Sequence, residues 1–177
     1  ELYRGYVKLD IKFTDWLKVV LNGDMNRTYT KREKKTFATE NSDYRGAEYT
    51  LRNSQKLQYR LNAMVTANRQ FGDFNVGAYV GAETFDEKHS FHYSQTNNGL
   101  RLPGIYELSN SVNPATTDAM AKNNTKRINT VFGAIQADWK GQVFMEVTGR
   151  NDWSSTLRYS DGSGNVSYFY PSVNASW

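Results

Sequence analysis

Apolar and polar residues alternate one by one along much of this chain, the period of a β-strand whose two faces meet different surroundings. In the first stretch Val7, Leu9, Ile11 and Phe13 share one face, and Tyr6, Lys8, Asp10 and Lys12 share the other. After a short turn at Thr14-Asp15, Leu17, Val19, Leu21 and Met25 oppose Lys18, Asn22, Asp24 and Asn26, with Val20 as an apolar exception on the polar side. Alternation resumes with Leu57, Tyr59, Leu61, Ala63, Val65 and Ala67, turns at Gly72-Asp73, and continues through Phe74, Val76, Ala78, Val80 and Ala82. A fifth run carries Val131, Ile135, Ala137 and Trp139, and Lys140-Gly141 is the next tight turn. The sixth places Val143, Met145 and Val147 opposite Glu146, Thr148, Arg150 and Asp152. A loop around Ser160 to Asn165 leads to a seventh run over 167–177, where Pro171 removes a backbone donor and predicts a bulge.

Between these runs the pattern lapses twice, from about Thr28 to Asn53 and from about Phe85 to Lys126, and both lapses read as long loops. The connections therefore go short, long, short, long, short, medium. Each run is about 9–12 residues, close to what a tilted strand needs to cross a bilayer. Short turns at one end and long loops at the other are the layout of an outer-membrane barrel. Phe13, Trp16, Phe71, Phe74, Trp139, Phe144 and Trp177 gather at the tight-turn ends; Tyr3, Tyr29, Tyr168, Phe169 and Tyr170 gather at the other. Two aromatic belts suit two membrane interfaces. A soluble all-β protein with one wet face shares the alternation, but nothing in it calls for alternating loop lengths.

Composition narrows the choice. The chain has 177 residues, 38% of them hydrophobic, and a mean hydropathy of −0.72. No run approaches the roughly 20 apolar residues of a spanning helix, whereas a barrel needs only every second residue apolar. There is no Cys, hence neither a disulfide nor a thiolate site. The net charge of +4 is spread along the chain, and the one dense run, Lys31, Arg32, Lys34 and Lys35, falls in an expected loop, so nucleic acid is not an expected partner.

The closing stretch is the most specific. Residues 130–177 contain VTGRNDWSSTL followed by SYFYPSVNAS, and this resembles the SusC/RagA family of TonB-linked outer-membrane proteins. About 45 residues carry the match; the first 125 agree only in style. The resemblance implies an all-β fold, an antiparallel transmembrane β-barrel of which this chain supplies about seven of 22 strands. Residues 1–177 would form part of one TonB-dependent transporter β-barrel domain, with the plug and remaining strands outside the chain. Seven strands leave two open edges, which lipid does not tolerate, so a longer barrel is expected. The implied function is active import of a large nutrient, a glycan or peptide, across the bacterial outer membrane. The implied partners are a SusD-like surface lipoprotein, the TonB energy-coupling complex and outer-membrane lipid. A passive porin and a barrel-embedded hydrolase are the alternatives, and the motif favours neither.

Candidate site residues follow from parity. Glu146, Thr148, Arg150 and Asp152 share one face and are expected to form a structural network on the lumen wall, or else to touch a plug or substrate. Trp153, of opposite parity, reads as an interfacial anchor or a loop-packing residue. Phe91, Tyr93 and Tyr106 lie in the second lapse and could stack on sugar faces, or simply pack loops together. His89 and His92 lack companions for a metal site, and no nucleotide-binding or serine-hydrolase motif is present. No enzyme, cofactor or metal is expected. The glycosylation-type triplets at Asn26, Asn123 and Asn174 occur at chance frequency and carry no meaning on a bacterial barrel.

Overall fold

The computed structural model describes residues 1–38, 47–117, 124–157 and 161–177. Asn123 and part of each lapse and of the loop before the last strand therefore lie outside the described residues. Eight strands form one antiparallel sheet: β1 (Leu2–Lys12), β2 (Leu17–Thr36), β3 (Glu48–Phe71), β4 (Phe74–Leu100), β5 (Ser111–Thr117), β6 (Asn124–Trp139), β7 (Val143–Ser154) and β8 (Ser167–Ser176). The order is β1-β2-β3-β4-β6-β7-β8, with β5 pairing on β4 off this path. The sheet is not closed. No helix among the described residues is long and apolar enough to cross a membrane.

The seven alternating runs are the seven strands of the path. The two lapses are not simply loops. β2 reaches Thr36, β3 starts at Glu48, β4 reaches Leu100, and β5 and the start of β6 also fall within the second lapse, while residues 101–110 are not strand. Period two reports a difference between the two faces of a strand, not the hydrogen-bonded backbone itself. Where both faces are polar the strand continues and the signal vanishes. Pro171 also causes no bulge: the β7/β8 ladder runs without a shift from Phe144↔Ser176 to Trp153↔Ser167, with Pro171 opposite Gly149. An antiparallel strand points only every second N–H at a given neighbour, so a missing donor on the far side leaves that ladder whole.

The chain divides into two compact units. One comprises residues 4–26, 58–87 and 125–177; the other comprises 1–3, 27–57 and 88–124. In the first unit the tight turns meet at one end. Lys140 and Gly141 adopt φ of 55° and 67°, and Gln142 N–H closes the turn on the Trp139 carbonyl at 3.0 Å. This is the left-handed turn that matches strand twist. Lys140 N–H donates to the Asp73 carbonyl at 2.9 Å, and Asn68 N–H to the Trp16 carbonyl at 2.9 Å. The Lys140 ammonium adds a 3.3 Å ion pair to Asp73.

This unit has one apolar face and no layer covering it. Val7, Leu9, Leu61, Val65, Val80, Val131, Ile135 and Val147 are all exposed, and Ile11, Leu17, Val19, Val76 and Val143 are half-buried. Among the described residues of the whole chain, the buried hydrophobic ones are Val20, Tyr49 and Ala134. Val20, the apolar residue on the polar side, is thus one of the few that the fold packs away. Gly81 marks a close approach, since a Cβ there would stand 2.6 Å from the Phe132 ring and 2.9 Å from the Ala63 carbonyl oxygen.

In the second unit the outer parts of β2, β3 and β4 join β5. The β4/β5 pairing shifts register on either side of Asn97, where Asn98 and Gly99 turn left-handed. Asn110 pins the connecting segment, its amide donating to the Leu102 and Ile105 carbonyls at 2.8 Å each.

Candidate functional site

The polar face of the first unit is a series of cross-strand bonds. Tyr6 donates to Asn22 at 3.2 Å, and Asn22 to Asn62 at 3.4 Å. Asp10 sits between Lys8 and Lys18, at 3.2 and 3.0 Å. Gln58 donates to Glu87 at 2.7 Å, and Arg60 lies 3.6 Å from Glu83. The strands place these groups opposite one another because alternation sends every second side chain to the same side.

The four residues singled out on β7 fall into two clusters. Asp152 accepts from the Thr130 hydroxyl at 2.7 Å and from Arg150 Nε at 2.9 and 3.1 Å. Arg150 also reaches Thr130 at 3.4 Å. Thr130 is 2% exposed, so its hydroxyl depends on Asp152 for an acceptor. Six residues along the strand, Glu146 accepts from Gln136 and from Asn174 at 3.3 Å. Thr148 lies between the clusters, level with Ala134 and Ser172. Sequence parity found the β7 residues but missed Thr130, Gln136 and Asn174, which only the register of neighbouring strands supplies. Around Glu146 the face hollows into a cavity of about 400 Å³, lined among others by Asn68, Asn75, Gly77, Gln136 and Asn174. Its lining includes amides, the carboxylates Asp138 and Glu146 and the hydroxyl residue Ser176, which suits hydrogen-bonding contact.

The aromatic candidates are in the second unit, all half-buried, each with its own partners. Phe91 lies under the Arg52 guanidinium, 4.8 Å from ring centre to Cζ, with the His89 ring 6.0 Å away. Tyr93 donates to Gln95 on the same strand. Tyr106 meets Phe37 edge-on at 5.7 Å, and the Lys35 ammonium stands 5.6 Å from its ring. Phe91 and Tyr93 share the parity of β4; Tyr106 is held separately. Sequence reasoning passed over a cavity of about 700 Å³ lined by Tyr3, Tyr29, Asn53, Gln55, Ser90 and His92 among others. Its residues come from four strands, so no local motif announces it.

The apolar face of the first unit ends abruptly. On β4, Val76, Ala78, Val80 and Ala82 give way to Thr84 and Asp86; on β6, Ile135, Gly133 and Val131 give way to Asn129 and Arg127. Thr84 donates to Asn129 at 2.9 Å, and Arg127 Nε to Asp86 at 2.9 Å. The two strands therefore change character at one level. The Asp86 side chain is 4% exposed and that of Arg127 57%. Trp153, on β7, is 40% exposed and remains open to an interfacial surrounding.

No protein-family model matches the chain, and no curated protein does. Solved structures do. "Structure of the RagAB peptide transporter" superposes with a TM-score of 0.78 at 14% identity, over 98% of this chain and 19% of that one. The RagAB peptide importer in its "open-open" and "closed-closed" states gives TM-scores of 0.74 and 0.75, again at 14% identity and over 98% of this chain. This chain spans 19% of the length of those chains, and its fold is that of the corresponding stretch in a transporter of peptides.

Proposed function

We propose that this chain is a wall segment of a TonB-dependent transporter of the SusC/RagA type, which imports a large nutrient across the bacterial outer membrane. The observation that carries the reading is the height of the exposed apolar face. From Phe74 to Ala82 on β4, and from Val131 to Trp139 on β6, the outward residues are apolar, then both strands turn polar at a common level. Such a run is about 26 Å along a strand at roughly 3.3 Å per residue. Tilted by about 40°, it stands about 20 Å tall, which with the aromatic side chains at its end approaches the roughly 25 Å apolar band of an outer-membrane barrel. Exposed Phe71, Phe74 and Trp139 rim its tight-turn end, as interfacial aromatics do, whereas Phe144 pairs with Asp138 on the polar face.

The VTGRNDWSSTL and SYFYPSVNAS stretches support the family, and the likeness in fold to a peptide transporter supports import. In this reading the bonded polar face lines the lumen, where Glu146, Thr148, Arg150 and Asp152 stiffen the wall and meet a plug. Phe91, Tyr93 and Tyr106 stand toward the outer loops, placed for a glycan or peptide. A SusD-like lipoprotein and the TonB complex complete the system, and the chain carries no catalytic role. Uptake of candidate oligosaccharides and peptides by cells with and without a working TonB system tests the reading. Uptake that stops without TonB is expected. Uptake continuing at full rate would replace the transporter with a passive porin.

A further inference from the structure

We propose that the apolar face carries a binding site for one anionic lipid, with its phosphate on Arg127 and an acyl chain in a groove below. This rests on the membrane placement argued above. The groove has a volume of about 640 Å³ and is lined almost wholly by apolar atoms, with Val65, Ala78, Val80, Ile135, Val147 and Phe169 as its main walls. Its floor is low because small residues stand between larger ones. Gly133 and Gly149 face each other across β6 and β7, and the Phe169 ring borders the hollow at Gly149, 3.4 Å from where a Cβ would stand. On a face that meets lipid, such a furrow is filled by a hydrocarbon chain.

The polar end of the site lies on the same face. The Asp86 side chain is almost fully enclosed, while the Arg127 side chain it holds is more than half exposed. Asp86 takes Nε at 2.9 Å, and the Tyr59 phenol also bonds the Arg127 side chain; together they fix the group, which has further donors beyond these two bonds. A guanidinium offers five donors in a rigid fork suited to phosphate oxygens. Thr84 and Asn129, bonded at 2.9 Å, floor the step between Arg127 and the apolar band. Spacing joins the two parts. Arg127 is six residues from Gly133 on β6, which is about 20 Å along the strand. At a tilt of about 40° that is roughly 15 Å of depth, or about one leaflet of hydrocarbon. A lipid whose phosphate meets Arg127 therefore lays the end of its chain in the groove.

The whole outer-membrane protein containing this segment, inserted in vesicles and then released in mild detergent, tests the site by native mass spectrometry. The probes are phosphatidylglycerol, and diacylglycerol with the same chains. Wild type is expected to retain one phosphatidylglycerol and to retain diacylglycerol at least tenfold less. Arg127→Gln is expected to lower phosphatidylglycerol retention about tenfold, and Gly149→Leu, which fills the groove, to lower it several-fold. Inorganic phosphate in excess should not displace the lipid. Unchanged retention in Arg127→Gln, equal retention of diacylglycerol, or displacement by phosphate alone overturns the lipid site. Heat-modifiable gel mobility reports whether each variant inserts. Failure of wild type to insert at all sinks the membrane reading instead, whereas insertion with no lipid retained sinks only this proposal.

Discussion

Thr130 stands directly opposite Asp152 across β6 and β7, and its hydroxyl donates to that carboxylate at 2.7 Å. Thr130 is buried, while the Arg150 side chain that shares the carboxylate is half exposed. Removing the acceptor should therefore cost more than removing the cation. Asp152→Ala leaves a buried hydroxyl unsatisfied and should destabilise by about 1–3 kcal/mol. Arg150→Ala removes a solvent-screened pair and should cost about 1 kcal/mol or less. Urea titration of refolding into vesicles measures both, and the reverse order would show that the network is not held through Thr130.

How far such a pair was legible in the sequence depends on register. Alternation placed Arg150 and Asp152 on the polar side, and Thr130 has matching parity. The tight turn at Lys140-Gly141, counted as a two-residue hairpin, would put Trp139 opposite Gln142 and Thr130 opposite Asn151. In the structure Gln142 is an extra residue, Trp139 faces Val143, and every later pair moves by one. The demand that polar face polar settles the register, and the turn alone misleads. The outer parts of β2, β3 and β4 were illegible for a different reason: polar residues on both faces erase the alternation while leaving the ladder intact. The aromatic candidates suffered likewise, because Phe37 and Tyr106 meet only after the chain has folded.

Val147 pairs with Ile135, midway along the apolar stretch of β6, and is 51% exposed. A Val147→Arg substitution puts a charge into hydrocarbon if that face meets lipid. It should cost about 2–4 kcal/mol of folding free energy in a bilayer. Lys or Glu at Thr148, on the opposite face, should cost much less. Equal costs at the two positions, from the same vesicle refolding assay, would contradict the assignment of faces.

Gly81 lets the Phe132 ring lie against the backbone. In Gly81→Ala the new methyl would be 2.6 Å from the Phe132 ring and 2.9 Å from the Ala63 carbonyl oxygen. The ring can move and the carbonyl cannot without disturbing β3. A loss of about 1–3 kcal/mol is expected from the overpacking. Adding Phe132→Leu should restore part of it but not all, since the clash with Ala63 remains. Complete rescue in the double variant would mean the backbone is more yielding here than its pairing implies.

Tyr49 and Glu33 give the second unit opposite responses to pH. Burial, then the hydrogen bond to Glu33, raises the Tyr49 phenol above its ordinary pKa. The Glu33 carboxyl is lowered by hydrogen bonds from Lys31 and from Tyr49, with Lys31 at 2.7 Å. A raised phenol favours the neutral form in the fold, so its contribution is complete below the ordinary value of about 10 and fades as pH rises through the raised one. A lowered carboxyl contributes above the ordinary value of about 4.3 and fades as pH falls through the lowered one. Absorbance titration should show one tyrosine ionising after most others, and Tyr49→Phe should remove that step. A late step that survives the substitution belongs to another tyrosine.

Residues 1–177 alone should not behave as a stable monomer in plain buffer. A domain this size in water is held mainly by apolar burial, which must offset a conformational entropy cost of order 100 kcal/mol or more. Here the buried hydrophobic residues among those described are Val20, Tyr49 and Ala134, while Val7, Leu61, Val80, Ile135, Val147, Phe169 and Val173 are all more than half exposed. Backbone pairing does not make up the difference, because each such hydrogen bond replaces one to water and nets only about 1 kcal/mol. β1 and β8 end the strand path without pairing to each other, and unpaired edges beside an apolar face promote association between copies. Sedimentation and calorimetry of the isolated segment should therefore find aggregates and no cooperative transition, with strand structure recovered only in detergent or vesicles. A monomer that melts sharply in detergent-free buffer would mean that the apolar face is covered in some other way, and the barrel-wall reading would have to be abandoned.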